Sequence, residues 1–253
     1  MTGLHLSARP TRLVVWMPFL VGVAAQIAYP LVTGAVRDWL IVVIVAVLAL
    51  AAFAHAGAEL GPAAVGVLAV VTVIGFAAEV VGVHTGRPFG HYAYLAAAGP
   101  RVLGVPLSVP PAWTMMAWPS AVAARRLARS PGARVVVGTW ALASWDLFLD
   151  PQMVDSRIWQ WRSVGAHLPG VPTVALTNYL GWLFVSLVIS VVLQTFLASR
   201  DRFDDAQPIA IYLWTYAASV LALAAFLDLR AAAAWGAIGM GLVAVPLAVR
   251  ARA

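Results

Sequence analysis

The sequence predicts an all-α integral membrane protein, a polytopic bundle of about seven or eight transmembrane helices. Three observations carry this. Hydrophobic residues make up 62% of the 253 residues and charged residues only 10%, whereas a soluble chain is about one quarter charged. The mean hydropathy is +0.90. Apolar runs long enough to cross a bilayer recur along the whole chain, with no linker and no internal repeat between them. Residues 1–253 therefore read as one transmembrane domain, with 1–12 a short polar lead.

The expected spans follow in order. Leu13–Val32 is about 20 residues, longer than the roughly 7–15 of a signal peptide's apolar core. Trp39–Ala56 and Pro62–Val83 are the second and third. A polar Gly- and Pro-rich stretch then runs from His84 to Pro106. Leu107–Ala124 is the fourth, interrupted by Pro111 and Pro119. Val135–Asp150 is the fifth and carries Asp146 within it. A second polar and aromatic stretch covers Pro151–Asn178. Tyr179–Ala198, Ile209–Leu227 and Ala231–Val249 complete the set. Backbone groups in hydrocarbon must be satisfied internally, so helices are the credible form. Short or broken spans such as the fourth and fifth belong inside a bundle, where they line sites.

All sixteen basic residues are Arg, and the net charge is +6. No basic run has aromatics interleaved on a polar face, so a nucleic-acid partner is not expected. The charge reads instead as topology. Eight spans put Arg9, Arg12, Arg125, Arg126, Arg129, Arg134, Arg200, Arg202, Arg250 and Arg252 on one side. Arg37, Arg87, Arg101, Arg157, Arg162 and Arg230 fall on the other. This favours both termini on the cytoplasmic side. The absence of Cys excludes disulfides, thiolate metal sites and Cys nucleophiles.

The chemistry-bearing residues gather in the two polar stretches. Glu79 lies near the end of the third span. Asp146 and Asp150, four apart, share a helix face. With His84 and Asp155 they fall toward one membrane face. An ionisable residue inside a span is functional by default, the reading favoured for Asp146 over a structural pair with an Arg. Asp150 precedes Pro151 and could simply end a helix. His84 and His91 are poorly spaced for a metal. Trp113, Trp118, Trp145, Trp159, Trp161 and Trp182 could form an interfacial belt. There is no HExxH, GxSxG, Walker A or strand-borne GxGxxG. GAIGMG at Gly236–Gly241 reads as close helix packing.

Several runs carry a family resemblance: Glu79, TGRPFGHYAY at Thr85–Tyr94, GPRVLGVPLSVPPAW at Gly99–Trp113 and WDLFLDPQM at Trp145–Met153. IWQW at Ile158–Trp161, GVP at Gly170–Pro172 and NYLGW at Asn178–Trp182 continue it. Over about residues 70–190 the chain resembles the membrane carotenoid hydratases, the group of bisanhydrobacterioruberin hydratase and gamma-carotene 1',2'-hydratase. It departs from that pattern in having His167, Leu168 and Pro169 before GVP and five residues between Pro172 and Asn178.

The resemblance implies addition of water to the terminal double bond of a linear carotenoid, in the plasma membrane, with other carotenoid-pathway membrane enzymes as neighbours. Another carotenoid or isoprenoid enzyme, a cyclase or isomerase, would use the same residue types, and a non-catalytic pigment carrier would bind without needing the acids. Hydration needs an acid to protonate the alkene, and Asp146 is the expected donor. Glu79, Asp150 or Asp155 would act as base. Aromatic faces such as Trp113, Trp145, Tyr92 and Tyr94 would stabilise the carbocation. His84, Phe89, Trp159, Trp161, Asn178 and Trp182 complete the expected substrate contacts. The reaction calls for no metal and no organic cofactor.

Overall fold

The computed structural model describes residues 10–95, 99–200 and 202–252. Among them are nine helices: α1 (Pro10–Ala28), α2 (Ala35–Leu60), α3 (Pro62–Thr85), α4 (Val109–Leu127), α5 (Pro131–Ala143), α6 (Asp146–Asp155), α7 (Leu176–Ala198), α8 (Ala206–Leu221) and α9 (Arg230–Arg252). Six segments are long and apolar enough to cross a membrane, α1–α3 and α7–α9 with the short turns that extend two of them. The polar lead expected at 1–12 lies outside the described residues up to residue 9, Arg9 included, and α1 begins at Pro10.

The two weak spans take distinct forms. Residues 113–124 of α4 are buried without a gap. It is the central helix, packed against α2, α3, α5, α7, α8 and α9. Pro111 does not interrupt it, because a first-turn proline forfeits an N–H that has no helical partner anyway; Pro119 is carried inside. The expected fifth span is two helices, not one. Ser144 donates its hydroxyl back to Ala141 O at 3.3 Å, and the chain turns before Asp146 starts α6. The glycines of α9 serve close packing as expected: Gly236 faces the Phe148 ring and Gly239 faces Leu147, both on α6.

The basic ends converge. Arg125, at the end of α4, donates to Leu197 O and Arg200 O at 2.6 Å each. Arg250 donates to Arg126 O and Leu127 O, and Arg126 pairs with Asp205 at 3.6 Å. Gln207, at the start of α8, donates to Val15 O of α1. The start of α1 and the end of α9 therefore share one end of the bundle.

The two polar stretches meet at the other end. β1 (Tyr92–Tyr94) and β4 (Trp159–Trp161) pair antiparallel, Tyr92 opposite Trp161 and Tyr94 opposite Trp159. A hairpin of β2 (Arg101–Val102) and β3 (Val105–Pro106) leads into α4. This small ribbon joins segments about 70 residues apart and sets their aromatic side chains over the ends of α3, α6 and α7.

Candidate active site

A cavity of about 140 Å³ opens among these elements. Glu79 of α3 lines it with Phe89, Tyr92 and Tyr94 of the first stretch, as do Trp145 and Asp150 at α6 with Trp159 and Trp161 of the second. Trp113 of α4 and Asn178 and Trp182 of α7 close the rest. An apolar cavity of roughly 150 Å³ holds a benzene-sized group, so the room suits one small hydrocarbon end unit.

Glu79 is the most heavily coordinated acid. It is buried, and its carboxyl accepts three hydrogen bonds. Tyr92 and Tyr94 donate to Oε2, the latter at 2.8 Å, and the Trp113 indole N–H donates to Oε1 at 3.2 Å. Burial first, and then the adjacent carboxyl, hold the Tyr92 and Tyr94 phenols well above their ordinary range, so both remain donors. Two hydroxyls and an indole N–H converge on this carboxyl, a set of partners that can support a carboxylate.

The second acidic centre is a pair. Asn178 Nδ2 donates to Asp146 Oδ2 at 2.7 Å and also to Asp150 Oδ2. The two carboxyls lie within hydrogen-bonding reach of each other. Two buried carboxyls that meet on one amide nitrogen do not readily both ionise, so the geometry favours a proton kept on the pair. The shared helix face expected from the four-residue spacing is what makes the pair. Asp150 lines the cavity and does not merely end a helix; Asp146, fully buried, sits one layer behind it.

Three indoles form the wall. Trp113 stacks on Trp182 with centroids 4.0 Å apart and planes at 21°. Trp145 meets Trp182 edge-on at 5.8 Å. The stack needs Gly75 of α3, where a Cβ would lie 2.6 Å from Trp113 Cδ1 and Cγ. The belt reading fails for Trp113, Trp118, Trp145 and Trp182, all at most 5% exposed. Trp118 instead donates to His55 Nδ1 at 3.1 Å, near the opposite end of the bundle.

Two expected residues are not brought to the cavity. His84 is exposed, its Nδ1 against Val80 O at 2.8 Å, and Asp155 is exposed at the end of α6. Each lies five residues beyond a cavity acid, and five helical steps turn a side chain about 140° away. Conversely, Gln26 of α1, Tyr29 in the turn that follows it, Ile41 of α2, Met115 of α4 and Thr215 of α8 line the cavity unanticipated. Gln26 carried a usable signal, being polar inside an apolar span. The apolar contributors carried none.

Fold and site together define an integral membrane protein whose helices and crossing ribbon enclose an acid-bearing, aromatic-walled cavity. The chain belongs to the family described as carotenoid biosynthesis protein, whose pattern it matches over residues 16–247. No curated protein and no solved structure matches it. Its work therefore lies in carotenoid biosynthesis, at a membrane, on a lipophilic substrate.

Proposed function

We propose that this protein is a carotenoid hydratase, adding water across the terminal double bond of an acyclic carotenoid to give a tertiary alcohol. The supporting observation is the meeting of two acid centres of different character, Glu79 and the Asp146–Asp150 pair, in one aromatic cavity. Asp150 gives the shared proton to the less substituted alkene carbon. Positive charge forms on the tertiary carbon, facing the Trp113, Trp145 and Trp182 rings. Water held at Glu79 adds to that carbon, and Glu79 takes the released proton. A proton then returns from Glu79, through solvent, to the aspartate pair, and the balance is alkene plus water to alcohol. Asp146 shares the proton that Asp150 delivers, in place of the direct donor role expected from the sequence.

The membrane is the plasma membrane in this reading, and the Arg-rich end of the bundle with both termini is cytoplasmic. The test is the purified protein in lipid with an acyclic carotenoid, run in heavy-oxygen water and in deuterated water. Heavy oxygen in the hydroxyl and deuterium on the adjacent carbon are expected. Oxygen arriving from dioxygen would rule hydration out. A product of unchanged mass would point to a cyclase or isomerase.

A further inference from the structure

The cavity has a closed end and an open one. At the closed end Glu79, Asp150 and Asn178 are buried beneath the indoles. At the open end the lining residues Gln26, Ile41, Ala112, Ala218 and Ala222 are all partly exposed. Gln26, Ile41, Ala218 and Ala222 belong to three membrane-crossing segments. Their outward neighbours are large and apolar: Ile27 is 53% exposed, Val43 38% and Leu221 59%. On this side, between segments apolar and long enough to cross a membrane, the opening looks toward hydrocarbon.

Volume then poses a problem. About 140 Å³ takes an end unit, and nothing of that size takes a long polyene. The remainder of such a substrate has to leave through the open end. We propose that the mouth between α1, α2 and α8 is a lateral portal in which the polyene chain of the carotenoid lies, extending into the bilayer while its end group meets Glu79 and Asp150. This rests on the carotenoid reading above.

The rim suits a flat, rod-like, apolar chain. Ala218 of α8 and Ala222 just after its end are one turn apart and both line the cavity, and their short side chains leave a slot. The helix passes into a π-type turn at Ala222–Phe226, a feature that recurs at functional sites. Trp214 donates to Gln26 Oε1 at 2.7 Å, tying α8 to α1 and fixing the width of the slot.

The test uses the full chain made in a host that accumulates an acyclic forty-carbon carotenoid. Ala218→Phe and Ala222→Phe fill the slot, while Ala217→Phe, on the exposed side of the same helix, is the control. Co-purified pigment per protein should fall at least about fivefold in the two slot variants, and forty-carbon turnover at least about tenfold. Turnover of a ten-carbon acyclic terpene bearing the same end unit should stay within about twofold. The control should match the unmodified protein in all three. Should the Phe variants melt at lower temperature, Ala218→Val and Ala222→Val carry the test with the same ordering. Unchanged pigment content, equal loss on both substrates, or loss of bound phospholipid in place of pigment would overturn the portal. Pigment that depends on the slot but never gains the mass of water would sink the hydratase reading and leave the portal standing.

Discussion

Replacing Glu79 by Gln is the sharpest single perturbation, because the partners of this carboxyl are fully specified. Oε2 accepts from Tyr92 and Tyr94 and Oε1 from Trp113. An amide retains one oxygen. Its best orientation keeps that oxygen on the two tyrosines and turns its NH2 toward the Trp113 N–H, donor against donor. A buried donor left unsatisfied costs about 1–3 kcal/mol. The two surviving bonds lose their charge assistance, at roughly 1 kcal/mol each. Stability should therefore fall by roughly 3–5 kcal/mol. Loss of the base should cost about 10²–10⁴ in turnover, or about 2.7–5.4 kcal/mol of barrier. Glu79→Asp separates the two effects. It keeps the charge and recovers much of the melting temperature, but a carboxylate drawn back by one methylene should not recover the rate. The assay is the initial rate of alcohol formation in proteoliposomes, read by mass, alongside thermal melting and pigment content. Turnover within about threefold of normal in Glu79→Gln would refute the assignment of Glu79 as base.

Asp150→Asn should lower turnover by at least about 10³, and Asp146→Asn by about 10–100-fold, with pigment still bound in both; the reverse order would show that Asp146, not its cavity-facing neighbour, delivers the proton. Gly75→Ala places a methyl 2.6 Å from Trp113, which should push the indole off Trp182 and Glu79. Turnover should fall about tenfold or more, with a changed tryptophan emission spectrum and normal membrane insertion; an unaltered spectrum would mean that the helices absorb the methyl elsewhere. Tyr92→Phe and Tyr94→Phe, made together, should shift product from alcohol toward an isomer of unchanged mass, and alcohol remaining the sole product would mean that these phenols do not hold the water. Single cysteines introduced at both termini and between Arg125 and Arg134 should label from the cytoplasmic side, and those near Arg87 and Arg162 from the other; labelling of the termini from opposite sides would sink the topology.

The fold class was legible because lipid imposes a simple rule: apolar runs of span length must be helices. The six segments of that kind stand where hydropathy puts them. The break at Ser144–Trp145 was not legible, since no proline or glycine marks it and α6 owes its position to packing on α9. The pairing of Asp146 with Asp150 could be read from their spacing alone. The five-residue steps to His84 and Asp155 turn those side chains away, although they share the membrane depth of the cavity acids. Depth is set along the helix axis and direction around it, and only the second decides what a side chain touches. Trp113 and Glu79 are 34 residues apart, and β1 and β4 roughly twice that. The first meeting comes from the packing of α4 on α3, and the second from a two-strand ribbon too short to leave a periodic signal.

In the proposed hydratase, the separation of the two acid centres bears directly on the fate of the carbocation. A tertiary cation can lose a proton, be attacked by a neighbouring double bond, or be captured by water, and the cavity's walls select among these. Indole faces stabilise positive charge without donating a pair to form a bond. They lengthen the life of the cation and leave capture to whatever nucleophile stands nearest. The wall of Trp113, Trp145 and Trp182 rings offers none. Around Glu79 the position is different, because two phenols and an indole N–H already converge on a carboxylate. Such a cluster can orient a water and accept its proton in the same motion. Asp150 stands on another helix, so the group that gives the proton is not the group that takes it, and addition is not forced back along its own path. A cyclase would be served by the same aromatic wall, but it would have no use for a polar cluster able to hold water beside the cation. That cluster, more than the presence of acids, is what supports the proposal of a hydratase over that of a cyclase.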